Sequence, residues 1–189
     1  IEEGITDEFA LYNLILEYAF ENVNVLSSTS LMDRDISFDI DLTAALQAIL
    51  GAPLLYGVLD TTELEDVVQE IRFTSTHEGP AQWIAGIFYH QQDRFYQNTI
   101  GAFNSVGGTE ISEQFFDSPL FISDQNFDLE QYAVFGELSY AVTKKLTATI
   151  GGRWFDVTQD FEISSVGVFN GGMTSNESRA EDDGFNPKF

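Results

Sequence analysis

The chain has 189 residues, of which 43% are hydrophobic, and it contains no cysteine, which excludes disulfide scaffolds and cysteine-based metal or redox sites. Its 31 acidic and 8 basic residues give a formal net charge of −23. No nucleic-acid partner is expected, because such binding requires cations that neutralise phosphates. The regular alternation of apolar and polar residues described below argues against a disordered chain.

Residues 9–34 predict the first hairpin. In the stretch FALYNLILEYAF, the even positions from Tyr12 to Leu16 are apolar, and the opposite face includes Glu17. Period-two alternation is typical of a strand with one face in an apolar medium. A tight turn at 21–22 leads into a return strand whose facing is ambiguous, because neither parity is cleanly apolar.

Residues 35–67 are predicted to form a long loop that contains a short helix. Between Asp41 and Leu50, apolar residues recur at the i, i+3, i+4 and i+7 positions of one helical face. Asp41 is a candidate N-cap and Gly51 a candidate stop. We expect this helix to lie in the loop layer, away from the strands.

Residues 68–96 predict the second hairpin, with a turn at 77–81. The apolar face of its second strand runs from Trp83 to Tyr89. Glu70 and Arg72 lie on the polar face of its first strand.

Residues 129–161 predict the third hairpin. The apolar face of its first strand begins and ends with a tyrosine, at Tyr132 and Tyr140. The strand exceeds the roughly 5–6 residues of a typical globular strand. It fits the roughly 9–11 residues that cross a membrane, where aromatic residues mark both interfaces. We therefore favour an outer-membrane barrel over a soluble sheet.

The connections alternate in length, with a short turn inside each hairpin and long, acidic loops at 35–67, 97–127 and 162–184. Outer-membrane barrels alternate short periplasmic turns with long external loops in this way. We predict an all-β fold, an antiparallel up-and-down meander of long strands that is a partial segment of a large transmembrane β-barrel. Six strands and the start of a seventh at Gly184 are too few to close, since single-chain barrels begin at about 8 strands.

Parity also predicts which side chains face out of the barrel and which face in. The predicted outward band consists of Tyr12, Leu14, Leu16, Trp83, Ile87, Tyr89, Tyr132, Val134, Leu138, Tyr140, Leu146, Ile150 and Trp154. The predicted lumen-facing binding candidates are Glu17, Glu70, Arg72, Glu137 and Arg153. Lateral ion pairing between neighbouring strands is the alternative role for these charged residues.

No catalytic residue, metal site or cofactor is predicted. His77 and His90 are the two histidines, and they fall at opposite ends of their hairpin. Asp33, Asp35, Asp39 and Asp41 lack the spacing of a calcium-binding loop. No nucleophile stands out, so we do not expect an enzyme.

Two stretches carry a family resemblance. QYAVFGELSYAVTKKLTATIGGRWFD, residues 131–156, has an aromatic-rich strand, a short turn and a T-x-G-x-R-aromatic strand. It resembles a hairpin in the barrel of TonB-dependent outer-membrane receptors. QEIRFTSTHEGPAQWIAGIFYHQQ, from Gln69 to Gln92, resembles another hairpin of that barrel, and the terminal GFNPKF resembles the opening of a following strand. Arg153 falls at a recurrent position of the family pattern that looks structural.

This resemblance implies a bacterial outer-membrane protein that actively takes up a scarce solute such as a ferric siderophore, energised through TonB. The implied partners are outer-membrane lipid, the TonB complex through a plug domain absent from this chain, and a small-molecule solute such as a metal chelate. Because the first residues lack a signal peptide, we expect a piece of a longer protein. A passive porin-like channel and a soluble β-sandwich binding module remain alternatives.

Overall fold

The computed structural model describes residues 3–188, in which seven antiparallel strands form one sheet in chain order. This confirms the predicted all-β meander. No helix in the described range is long and apolar enough to cross a membrane. The strands are β1 (Gly4–Ala19), β2 (Val23–Asp41), β3 (Leu55–Ser75), β4 (Ala81–Phe103), β5 (Phe121–Thr143), β6 (Leu146–Val166) and β7 (Thr174–Lys188). The helices are α1 (Thr43–Leu50), α2 (Ser112–Phe116) and a short 3-10 helix, Val168–Asn170.

Each predicted hairpin is present, because every strand pairs antiparallel with the next one in the sequence. The strand ends at the short turns lie within two residues of the predicted ones, but the ends at the long connections were wrong, since the strands continue well beyond the apolar stretches that predicted them. Backbone hydrogen bonds extend the sheet through polar segments that have no apolar alternation. The connections between hairpins are therefore shorter than predicted. They span 42–54, 104–120 and 167–173, where the predicted loops were 35–67, 97–127 and 162–184. For the same reason β7 begins at Thr174, well before Gly184.

The predicted helix is confirmed as α1, with a shifted start. Asp41 is the last residue of β2, and the N-cap position is occupied by Leu42. The Asp41 carboxylate instead accepts a hydrogen bond of 2.7 Å from the backbone N–H of Thr43. Gly51 ends the helix in the left-handed conformation, with φ of 72°, a conformation that glycine adopts without steric cost.

The prediction that this helix lies away from the strands was wrong. Helix α1 packs against the strand ends. Leu46 contributes to a buried cluster with Tyr56, Ala102 and Leu120, which we call the cap core. Ser112 of α2, fully buried, accepts a hydrogen bond of 2.8 Å from the backbone N–H of Ala102. An isolated helix of this length is unstable in water, so α1 depends on the apolar surface that the strand ends provide.

Gly167 joins two of the long connections. The backbone N–H groups of Val168 and Phe169 donate to the carbonyl oxygens of Pro119 and Leu120, each at 3.0 Å. Gly167 has φ of 139°, and a Cβ there would overlap the Leu120 carbonyl. Only glycine fits this close approach between backbones, which ties the 167–173 connection to the cap core.

Candidate functional site on the inner face of the sheet

The strand register divides the side chains of the sheet into two faces. One cross-strand row joins Leu16 to Trp154 through Ile71, Ile87 and Val134. Every residue predicted to face outward lies on this side of the sheet. This confirms the prediction that these residues share one face. We call this surface the apolar band. Its side chains are well exposed in the isolated sheet, 53% for Val134, which is far from the usual state of apolar residues in a soluble domain.

Tyrosines form one edge of the apolar band. The rings of Tyr89 and Tyr132 lie 5.0 Å apart on neighbouring strands. The Tyr132 hydroxyl donates a hydrogen bond of 2.7 Å to Glu130, and that of Tyr89 donates one of 2.9 Å to Gln91. The rings therefore join the apolar surface while the hydroxyls bond to polar residues beyond it, as tyrosines do where hydrocarbon meets water.

The apolar band is interrupted on β2 and β3, so the prediction of one continuous band was wrong there. Ser27, Thr29 and Gln69 occupy outward positions between the apolar residues of β1 and β4. Thr29 donates to the Gln69 side-chain oxygen, and the Gln69 amide donates to Ser27 at 3.0 Å. These mutual hydrogen bonds lower the cost of placing polar groups on a face next to lipid.

Beyond the tyrosine edge, the same outward face becomes acidic. Glu63 and Glu65, which the sequence had placed in a loop, lie on β3 because that strand extends further than predicted. Arg179 of β7 ends one cross-strand row and lies 3.5 Å from Asp160. The carboxylates of that row, which we call the acidic row, are Asp33, Glu65, Asp93, Asp128 and Asp160.

Asp128→Asn is expected to stabilise the protein near neutral pH. Burial raises the pKa of the Asp128 carboxyl, and the neighbouring charges of Asp93, Asp160 and Glu162 raise it further. A carboxyl with a raised pKa binds its proton more tightly in the folded state. Its ionisation therefore opposes folding once the pH exceeds the unfolded value of about 3.9.

This expectation can be checked by urea unfolding of the full-length protein in lipid vesicles. The Asp128→Asn midpoint should exceed that of the wild type at about pH 7, and the difference should vanish at about pH 2.5, where the unfolded carboxyl is also protonated. A lower midpoint for the variant at the higher pH would contradict the prediction.

The face opposite the apolar band holds the five charged candidates. Four of them line one cavity of about 420 Å³. Glu17 lies outside it, in an adjoining cavity that Arg72 also lines. The first cavity, which we call the charged cavity, is lined by residues that include Glu70, Arg72, Phe135, Glu137, Arg153 and Lys188.

Both carboxylates of the charged cavity are paired. Arg72 Nη2 lies 2.5 Å from Glu70 Oε1 on the same strand, and Lys188 Nζ lies 2.5 Å from Glu137 Oε2. The second pair links β7 to β5 across the intervening strand. Ion pairing thus involves these four charges, although neither pair joins neighbouring strands, and it leaves Arg153 as a further cation in the cavity.

Lys188 is a residue of the cavity that the sequence reading missed. Gly151 of β6 pairs with Glu137 on one side and with Lys188 on the other. A Cβ at Gly151 would lie 3.2 Å from that of Glu137. Because glycine leaves this position open, the lysine reaches across the strand. The glycine inside an otherwise regular strand was the available signal, since it marks a close approach of other groups.

Arg153 has no carboxylate within salt-bridge distance among residues 3–188. Its guanidinium carbon lies 5.1 Å from the centre of the Phe88 ring. A cation placed over a ring face in this way is attracted to the ring and keeps its N–H edges available.

The histidines lie apart from the charged cavity. His90 Nε2 lies 2.9 Å from Asp66 Oδ2, which also accepts a hydrogen bond of 3.0 Å from Gln92. His77 lies in the turn after β3, where it accepts a hydrogen bond from Gly79. Within the described part of the chain, no three His, Asp or Glu side chains are placed to hold a metal ion.

Long antiparallel strands with an aromatic-edged apolar face and a charged opposite face define the wall of an outer-membrane β-barrel. The chain belongs to the family described as TonB dependent receptor-like, beta-barrel, which it matches over residues 5–189. It is therefore part of a receptor in the bacterial outer membrane, and this family is a class of transport receptors and not of enzymes. No curated protein sequence matches the chain.

The fold is similar to that in the crystal structure of the ferric yersiniabactin uptake receptor FyuA from Yersinia pestis, with a TM-score of 0.74 and 11% sequence identity. The similarity covers 98% of this chain and 25% of that receptor. The chain thus spans about a quarter of the length of this structural neighbour. At this identity the similarity defines the fold of the segment.

Proposed function

We propose that this chain is part of an active-transport receptor that takes up a scarce solute such as a ferric siderophore. TonB energises the uptake through a plug domain elsewhere in the receptor. The charged side of the sheet faces the interior of the barrel, where it contacts the plug or the path of the solute.

The observation that carries this proposal is the depth of the charged cavity. Arg72 and Arg153 belong to one cross-strand row, which passes through Gly86 and Phe135. That row is one residue away from the row of Gly136, at the middle of the stretch of the apolar band between Tyr132 and Tyr140. Charged side chains at membrane depth require water, protein or partner ions around them. This face of the sheet therefore suits a polar barrel interior and does not suit contact with lipid.

Family membership supports the receptor and the TonB partner. The structural neighbour is named as an uptake receptor for a ferric chelate, which supports a metal chelate as the solute class. A passive porin-like channel would have a similar wall, so the energy requirement decides between the two functions.

The test uses the full-length receptor, produced in cells whose own ferric-siderophore receptors have been deleted. Uptake of siderophores loaded with radioactive iron is measured with TonB present, with TonB deleted and after addition of an uncoupler. We expect accumulation above the external concentration that disappears in the last two conditions. TonB-independent equilibration would identify a passive channel, and no uptake of any ferric chelate would contradict the solute class.

Two arginine variants test the role of the inner wall. Arg153→Gln, in the charged cavity, should lower uptake because it removes the cation that has no carboxylate partner there. Arg179→Gln, on the outward face, should leave uptake unchanged. Equal uptake by both variants would remove the charged cavity from the proposed path.

A further inference from the structure

Two of the five arginines have no carboxylate partner within residues 3–188, although acidic residues greatly outnumber basic ones in this chain. Arg34 lies 2.6 Å from Asp7, and Arg72 and Arg179 are also paired with carboxylates. The two that lack such a partner are Arg153, in the charged cavity, and Arg94 of β4.

Arg94 lies over an aromatic ring on the inner face. Its guanidinium carbon is 4.5 Å from the centre of the Phe127 ring. The Phe127 ring is in turn 6.1 Å from that of Phe161, at an interplanar angle of 70°. The flanking acidic residue Asp93 points to the opposite face of the sheet, so its carboxylate does not form an ion pair with this arginine.

This cluster is separate from the charged cavity. Arg94 is five residues beyond Tyr89, so it lies about 16 Å beyond the tyrosine edge of the apolar band, at about 3.3 Å per residue. Gly86, which belongs to the row of Arg153, is eight residues from Arg94, or about 26 Å along the strand. Arg94 is thus on the inner wall but outside the membrane-spanning part, between the charged cavity and the cap core.

We propose that Arg94, Phe127 and Phe161 form a binding site for the carboxylate of an aromatic solute, a proposal that rests on the inner wall being the solute path. A guanidinium presents paired N–H donors in a plane that matches a carboxylate. The Phe127 ring holds that plane in place. The edge-to-face phenylalanine pair adds an apolar surface on which an aromatic ring of the solute packs.

The test uses the full-length receptor in nanodiscs of neutral lipid and 4-fluorobenzoate as the probe, followed by fluorine NMR. We expect saturable binding that is absent from empty nanodiscs. Arg94→Gln should weaken binding at least tenfold. Arg94→Lys should weaken it less, because it keeps the charge but loses the planar donors. Phe161→Leu should weaken it a few-fold while the charge is unchanged.

Arg34→Gln is the matched control. Arg34 lies in the same cross-strand row and on the same face as Arg94, but its guanidinium is bound to Asp7. This variant should bind 4-fluorobenzoate as the wild type does. A second control probe, 4-fluorobenzyl alcohol, keeps the ring without the charge and should not bind.

The absence of saturable 4-fluorobenzoate binding to the wild type would overturn the proposal. This outcome includes the case in which a carboxylate from another part of the receptor occupies the site. It would also be overturned by equal weakening in Arg34→Gln and Arg94→Gln. Benzoate binding together with TonB-independent uptake would refute the proposed function alone. TonB-dependent uptake without benzoate binding would refute only this site.

Discussion

Leu138→Arg is expected to destabilise the barrel by about 2–4 kcal/mol, the cost of an arginine on the lipid face near the bilayer midplane. Leu138 lies on the apolar band, between Trp83 and Ile150 in the sheet, and its side chain is 45% exposed. It is two residues from the middle of the stretch between Tyr132 and Tyr140. The measurement is folding of the full-length receptor into lipid vesicles as a function of urea.

Ser139→Arg is the matched control, since it lies at the same depth on the opposite face. It loses one hydrogen bond of 2.8 Å between the Ser139 and Thr149 hydroxyls, which contributes about 1 kcal/mol. Its arginine remains in the polar interior. The predicted order is therefore a larger loss for Leu138→Arg. A larger loss for Ser139→Arg would mean that the two faces of the sheet are reversed.

The hairpins could be predicted from the sequence because a lipid-facing strand needs an uninterrupted period of two. The stretch from Tyr132 to Tyr140 shows this pattern, and its pairing with β6 follows from the short turn between them. The segment beyond Thr174 has almost no apolar residue, yet it forms β7. Its strand conformation depends on hydrogen bonding to β6, a long-range contact that has no local signal.

The facing of Glu70, Arg72, Glu137 and Arg153 could also be predicted, because facing within one strand depends only on parity. Which of them meet could not, because neighbours on different strands depend on the register. The pair between Glu137 and Lys188 spans three strands. The contact between Arg94 and Phe127 likewise requires the register of β4 and β5, which no composition or spacing in the sequence encodes.

Leu46→Ala is expected to destabilise the packing of α1 on the sheet by about 2–5 kcal/mol, the usual cost of removing a buried leucine side chain. Leu46 is 7% exposed and packs with Tyr56 and Leu120, which are fully buried. The helix cannot persist without this contact, because it has only 8 residues and isolated helices of that length are unstable.

Ile49→Ala is the control, because it makes the same kind of truncation on the same helix at a side chain that is 72% exposed. It should change stability by no more than about 0.5 kcal/mol. Hydrogen–deuterium exchange of the amides in 42–54 measures local opening directly. A loss of 2 kcal/mol corresponds to about thirtyfold faster exchange, which we expect for Leu46→Ala alone. Equal exchange in the two variants would show that the cap core does not hold α1 on the strands.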